Sequence, residues 1–231
     1  MPAEFEKEAL KAQAVAARTE TIKKMSFENE KHKNADVCDD INHCQAYYDT
    51  DTLKIKYGDE WYKKYYDKIK KSVDETDSII MTYNDEPITA VFHSTSSGMT
   101  ENSRDVWGGD FPYLISVESE GETESPRYYE EKSFSYEEFK KKISELKKVV
   151  FSENPKNWVS DIVRNESGSV KSLKICGVEF KGTEIRSALQ LRSTNFEINV
   201  NENIIFNTKG NGHGVGMSQY GANYMAKNGY S

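Results

Sequence analysis

The chain reads as an α+β protein, mixed helices with mainly antiparallel sheet, on three observations. Residues 2–19 are alanine-rich, with Phe5, Ala9, Ala12 and Ala16 at helical spacing. Residues 59–73 repeat the pattern, with Trp61, Tyr65, Ile69 and Val73 every four residues. Residues 78–83 and 88–93 are short apolar runs separated by Asn84-Asp85-Glu86-Pro87, a hairpin signal and so a sign of antiparallel pairing.

Each element follows from local chemistry. Pro2 suits the first turn of a helix, where its missing N–H has no intrahelical partner, and the alanines after it are the strongest helix formers. Their small side chains let a second element approach closely, so Arg18 is expected in a partly enclosed place. A polar stretch runs to about residue 51 before the second helix. After the two strands comes a loop rich in Ser, Thr and Gly, then a strand over 113–119 and a polar, acidic linker over 120–127. A helix over 136–150, a helical or turn section around Trp158, and strands near 170–175 and 196–200 form a second lobe. That lobe, residues 120–200, is expected to be inserted into a core made of 1–119 and 201–231. The chain finishes with a Gly-rich loop running into a helix.

Composition narrows the function. A net charge of −7 over 231 residues argues against a general nucleic-acid binder, and 14 tyrosines offer amphipathic surfaces of the kind that sugars and peptides use. No run of 18 apolar residues is present, and the opening residues do not follow the signal-peptide pattern. Three cysteines make no disulfide framework; Cys176, in an alternating run, reads as a small core residue.

His32, Cys38, His43 and Cys44 make a metal candidate, because two imidazoles and two thiolates complete a tetrahedral zinc shell. A closed shell of four implies a structural ion. A Cys38–Cys44 disulfide and unpaired thiols are the competing readings. Residues 94–101 present hydroxyls and a permissive glycine directly after a strand, a common way to offer donors to a polar ligand. Gly210, Gly212, Gly214 and Gly216 alternate, which lets backbone approach a ligand or another chain segment closely; His213 within them is either an exposed hydrogen-bonding group or a packed loop residue.

Four blocks, in order, resemble one family. They are Met1-Pro2 with the Glu8-Ala9-Leu10-Lys11-Ala12-Gln13-Ala14-Val15-Ala16-Ala17-Arg18-Thr19 run; residues 93–101 with Val106-Trp107-Gly108 and Pro112-Tyr113-Leu114; residues 182–196; and residues 212–222. Together they are similar to the SpoIID family of sporulation and cell-wall proteins. The resemblance implies a lytic transglycosylase that cleaves peptidoglycan glycan strands, denuded of stem peptides, to 1,6-anhydro-muramyl products during engulfment of the forespore. One carboxyl group serves such chemistry as acid and then as base, with its pKa raised by an apolar pocket. In the family that glutamate directly precedes the Met-Pro pair, so the chain is expected to be a core clipped at both ends, with Glu4 or Glu8 as fallback acids. Arg18 and Tyr113 match family positions at the substrate. The resemblance further implies a groove lined by Ser96, Ser97, Gly98 and Thr100 and by His213, Gly214, Ser218, Gln219 and Tyr220. Implied partners are the glycan strands, the SpoIIP amidase and the SpoIIM membrane protein. The implied place is extracytoplasmic, between mother cell and forespore membranes, with a membrane anchor in the full-length protein. Zinc would be a subgroup's stabilising device. The alternatives are a noncatalytic glycan-binding or scaffold domain and a zinc hydrolase.

Overall fold

A computed structural model describes residues 1–26, 34–40 and 43–231. The chain divides into two compact units, Met1–Phe92 with Ala222–Ser231, and His93–Gly221. Helices and small antiparallel sheets make up both, an α+β protein.

In the first unit α1 (Lys7–Met25) lies against α3 (Asp59–Asp74). Of the face read from the sequence, Ala9 and Ala16 are buried in this helix, joined by Leu10 and Thr19, whereas Ala12 is exposed. The helix begins five residues later than Pro2. Residues 1–6 turn instead, with the Phe5 N–H on Pro2 O, and the Glu6 N–H donates to Asn223 Oδ1 at 2.8 Å from α7 (Gln219–Lys227). A tertiary acceptor thus holds Glu6 in extended geometry, outside the helix. Between the polar stretch, read to about residue 51, and the helix expected from 59 lies α2 (Thr50–Tyr57), started by Asp49, whose side chain accepts the Thr52 N–H. Gly58, at φ +87°, ends α2 and begins α3.

The expected strands over 78–83 and 88–93 are mostly not strands. Only β1 (Thr82–Tyr83) and β2 (Glu86–Pro87) pair, around Asn84 and Asp85, both at positive φ. The reason is competition from α1: Thr19 Oγ1 takes the Met81 N–H at 3.0 Å and Glu20 Oε2 takes the Ala90 N–H at 3.1 Å, so these donors are not free for a ladder. β3 (Phe92–His93) pairs with β10 (Met217–Ser218).

The second unit carries two three-stranded antiparallel sheets. One is β4 (Tyr129–Phe134), β9 (Ile204–Lys209) and β8 (Phe196–Val200), with β9 central; the other is the meander β5 (Val159–Arg164), β6 (Val170–Ile175) and β7 (Val178–Lys181). Between α4 (Ser103–Trp107) and the C-terminal loops lie α5 (Tyr136–Leu146) and α6 (Gly182–Leu189). Ser135 and Glu138 cap α5 reciprocally. It stops at Leu146, short of 150, because Lys147 is extended and Val149 and Phe151 turn onto the core. That core is Phe134, Phe139, Trp158, Phe180, Phe196 and Phe206 with aliphatic neighbours, each large side chain contributing roughly 1.5–3 kcal/mol on burial. Gly182 is obligatory, since a Cβ there would lie 1.8 Å from Val170 O.

This unit is wider than the lobe expected over 120–200. β9 lies outside that range yet is the centre of its sheet, so 201–221 cannot be separated from it, and 93–119 is hydrogen-bonded to the same loops. The segment expected as a linker, 120–127, is also an integral part: a single 3-10 turn, Glu122–Glu124, buries the Glu122 side chain. Nor is 113–119 a strand; Pro112 and Tyr113 lie in a turn, and Val117 is bonded to Thr100 in both directions, through the Thr100 N–H to its carbonyl and its own N–H to Thr100 Oγ1.

Candidate functional site

Two loops of the second unit, 93–101 and 210–218, are laced together. Thr95 and Asn211 exchange backbone bonds at 3.0 and 2.8 Å, and the Glu101 N–H donates to Gly214 O at 2.8 Å. The alternating glycines are what allow it. All four have positive φ, and a Cβ would fall 3.0 Å from Thr95 O at Gly210, 2.7 Å from His93 Cβ at Gly212 and 2.5 Å from Glu101 Cγ at Gly214. The close approach is to another chain segment.

Three buried polar side chains set the shape of these loops. Glu122 accepts the Ser96 N–H and Ser96 Oγ, both at 3.0 Å, and Ser119 Oγ at 2.5 Å, with Ser218 also donating. Burial raises its pKa, and those hydrogen bonds oppose the rise. Glu101 accepts Ser167 Oγ at 2.7 Å, Ser169 Oγ, and Asn165 Nδ2 at 3.4 Å. His93 donates from Nδ1 to Val215 O at 3.2 Å, while its Nε2 is buried with no partner among the described residues. Burial, with His213 beside it, pulls the His93 pKa down to about 4 against the Val215 bond, so the ring is neutral at pH 7.

At the rim the Val215 N–H donates to His213 Nδ1 at 3.1 Å, which leaves the neutral ring's proton on Nε2. Trp107 lies 5.1 Å from the His213 ring and is 45% exposed, a large accessible aromatic face beside a polar ring. Such a pair suits a ligand with apolar faces and hydroxyl edges, as a sugar has.

The residues expected in a groove separate into two groups. Ser96, Thr100 and Ser218 are buried and bonded inward, to Glu122, to Ile115 and Val117, and to Glu122 respectively. Ser97, Gly98, His213, Gly214, Gln219 and Tyr220 remain at least partly accessible, and so does Tyr113, whose ring is 5.9 Å from Phe111. Arg18, in the first unit, spends its guanidinium on carbonyls at the end of α3: Thr76 O at 2.6 Å, Ile79 O at 3.0 Å and Val73 O at 3.2 Å. Glu4 is exposed in the opening turn, and Glu8 pairs with Lys11 at 2.8 Å. His93, Glu101, Trp107 and Glu122 were not singled out as site residues. The first three lay in the quoted blocks; Glu122 carried no signal, because an acidic residue in a polar stretch reads as solvated.

A separate cluster stands in the first unit. Cys38, His43 and Cys44 bring their ligand atoms within 4.8 Å of one another, with His43 Nδ1 at 3.3 and 3.5 Å from the two sulfurs. The adjacent His43 and Cys44 face one point because both donate their N–H groups to Asp40 O, a turn. Lys24 Nζ, bonded to His43 O at 2.7 Å, holds the segment to α1. Two thiols and an imidazole at these separations fit three corners of a zinc tetrahedron. His32, the expected fourth ligand, lies outside the described residues.

Residues 1–83 match the model of the SpoIID family, stage II sporulation protein. Similarity to whole proteins extends over both units. The chain is 41% identical over 234 residues to stage II sporulation protein D of Bacillus amyloliquefaciens, covering 100% of this chain and 66% of that protein. It is 40% identical over 237 residues to the protein of the same description in Bacillus subtilis (strain 168), covering 99% and 66%. An amidase enhancer of Bacillus subtilis (strain 168) is 27% identical over 290 residues, covering 100% of this chain and 37% of that protein. The chain thus spans just under two thirds of the stage II proteins it matches. No helix among the described residues is long and apolar enough to cross a membrane. The chain belongs to the SpoIID family of stage II sporulation proteins.

Proposed function

We propose that this protein is a lytic transglycosylase that cuts peptidoglycan glycan strands freed of their stem peptides, leaving 1,6-anhydro-muramyl ends, during sporulation engulfment. The observation that carries a glycan reading is the accessible Trp107 face against His213, mounted on loops that buried carboxyl groups hold in one shape. The family supplies sporulation as the setting. A relative described as an amidase enhancer fits a division of labour in which an amidase strips the stems and this protein cuts the bared strand.

The chemistry needs one carboxyl group, which we place directly before Met1. As an acid it protonates the glycosidic oxygen while the bond to C1 breaks and positive charge spreads over C1 and the ring oxygen. As a carboxylate it then takes the proton of the muramic acid's own C6 hydroxyl, whose oxygen closes on C1. The carboxyl is regenerated and no water is consumed. The neighbourhood supports an acid of raised pKa: Ala3 and Phe5 are buried, and an apolar surrounding disfavours a carboxylate. Mass spectrometry of products from stripped strands, with protein carrying that glutamate before Met1, tests the reading. Anhydro-muramyl ends are expected. Reducing-end muramic acid would show a hydrolase, and no release at all would favour a glycan-binding scaffold.

The reading places the protein outside the cytoplasm, anchored in a membrane between mother cell and forespore, with the SpoIIP amidase and SpoIIM as partners. Zinc on Cys38, His43, Cys44 and His32 would act as a structural clamp on the segment after α1. Chelation should then lower the melting temperature and leave the products unchanged, whereas a zinc hydrolase would lose activity at once.

A further inference from the structure

One side of the second unit has a cavity of about 320 Å³ between the segment 101–105 and the end of β5 with the turn after it. Its volume is at the lower end for ligand sites, room for one ring and a substituent. Glu101 and Ser167 are buried in its lining.

Its charges are mostly committed. Lys171 pairs with Asp105 at 3.0 Å. Arg164 donates to Gly168 O at 2.7 Å and to Phe196 O at 2.9 Å. Glu101 is engaged by Ser167, Ser169 and Asn165, and Glu166 is exposed, where water and salt screen it. Arg104 is different. It lines the cavity, is exposed, and its guanidinium has no hydrogen bond or ion pair among the described residues. A planar fork of donors without a partner among the described residues can take a carboxylate in bidentate geometry. The chain's net charge of −7 disfavours anions in general, so an anion held here must be selected by local geometry. Arg104 and Trp107 are three residues apart on α4, hence on one side of that turn, so one ligand can run from the aromatic face to the guanidinium.

We propose that this cavity is a subsite for a sugar acid, and that Arg104 recognises its carboxylate. The proposal rests on the glycan reading above and assigns that reading's choice of stripped strands to one residue. A muramic acid carries a lactyl group that is an amide while a stem peptide is attached and a free carboxylate once it is removed. Arg104 would bind the second and not the first, so the protein would sense stripping directly at the strand.

The test is equilibrium binding of the protein to two soluble preparations, stripped muramyl strands and the same strands with the lactyl carboxyls converted to methylamides. Wild type should bind the free acids roughly tenfold or more tighter, the range of a charge-assisted bond to carboxylate. Arg104→Gln should bind the two strands equally, and Arg104→Lys should keep part of the preference, showing that charge and not a lost fold is read. Wild type binding both strands equally, or Arg104→Gln keeping the preference, overturns the subsite and leaves the glycan reading standing. Wild type binding neither strand overturns both.

Discussion

In residues 1–92 the charged contacts lie at the surface: Lys7 and Lys11 meet Glu75 at 2.5 and 3.0 Å, and Lys70 meets Asp74 at 2.5 Å. In residues 93–221 the carboxyl groups that hold the loops are inside, Glu101 4% and Glu122 3% exposed, and their partners are mostly hydroxyls and amides rather than cations. Exposed pairs are screened and compensated by water, so their loss is small. A buried acceptor removed leaves its donors stranded, so its loss is large. The unit with interior carboxyl groups therefore has preorganised loops, and it is there that the accessible Trp107 and His213 sit.

The largest test of this contrast is Glu122→Ala. It strands the Ser96 N–H and the Ser96 and Ser119 hydroxyls, and should cost about 3 kcal/mol in denaturant unfolding. A loss under about 1 kcal/mol would mean that water replaces the carboxylate and that the loops are not held from within.

Next is pH. His93 has its pKa depressed to about 4 against an ordinary 6.5, so the unfolded chain binds its proton first. Its contribution is full above pH 6.5, declines as the pH falls towards 4 and is exhausted below that, a total of about 3 kcal/mol. His93→Gln should flatten this part of the stability profile. An unchanged slope would assign it elsewhere.

Arg18→Ala should cost about 1–2 kcal/mol, because three carbonyls at the end of α3 lose a charged donor but lie close to water. The smallest effect is expected from Glu75→Gln. Glu75 is held down to about 2 by Lys7 and then Lys11, so its contribution is present above pH 4.5 and lost as the pH falls through about 2. Being exposed, it should change little at pH 7 and nothing in high salt; a salt-independent loss would break the contrast between the units.

Reading the sequence worked where periodicity or steric permission is the cause. α1, α3 and α5 form where helices were expected, although Ala12 and Val73 on the expected faces are exposed, and the alternate glycines of 210–216 foretold a close approach. It worked less well where a distant atom decides. Pro2 and the alanines favour a helix from the second residue, yet Asn223 takes the Glu6 N–H. Residues 78–83 and 88–93 have strand composition, yet Thr19 and Glu20 occupy their donors. Of the site, residues 93–101 and 212–222 were found as blocks, but which hydroxyls face inward was not: Ser96 and Ser97 are adjacent and alike in sequence, and only Ser96 reaches Glu122.

By itself the amino-acid sequence determined the α+β class, the main helices and the family, because these depend on local propensity, on side-chain period and on residues kept in order along the chain. Only the tertiary structure decided that Glu122 is a buried centre and not part of a linker, that Arg18 ends a helix, that the Arg104 guanidinium has no partner among the described residues, and where one unit gives way to the next. A carboxylate or guanidinium has the same chemistry wherever it lies along the chain. What it does depends on whether folding removes its water and which partner it is left with.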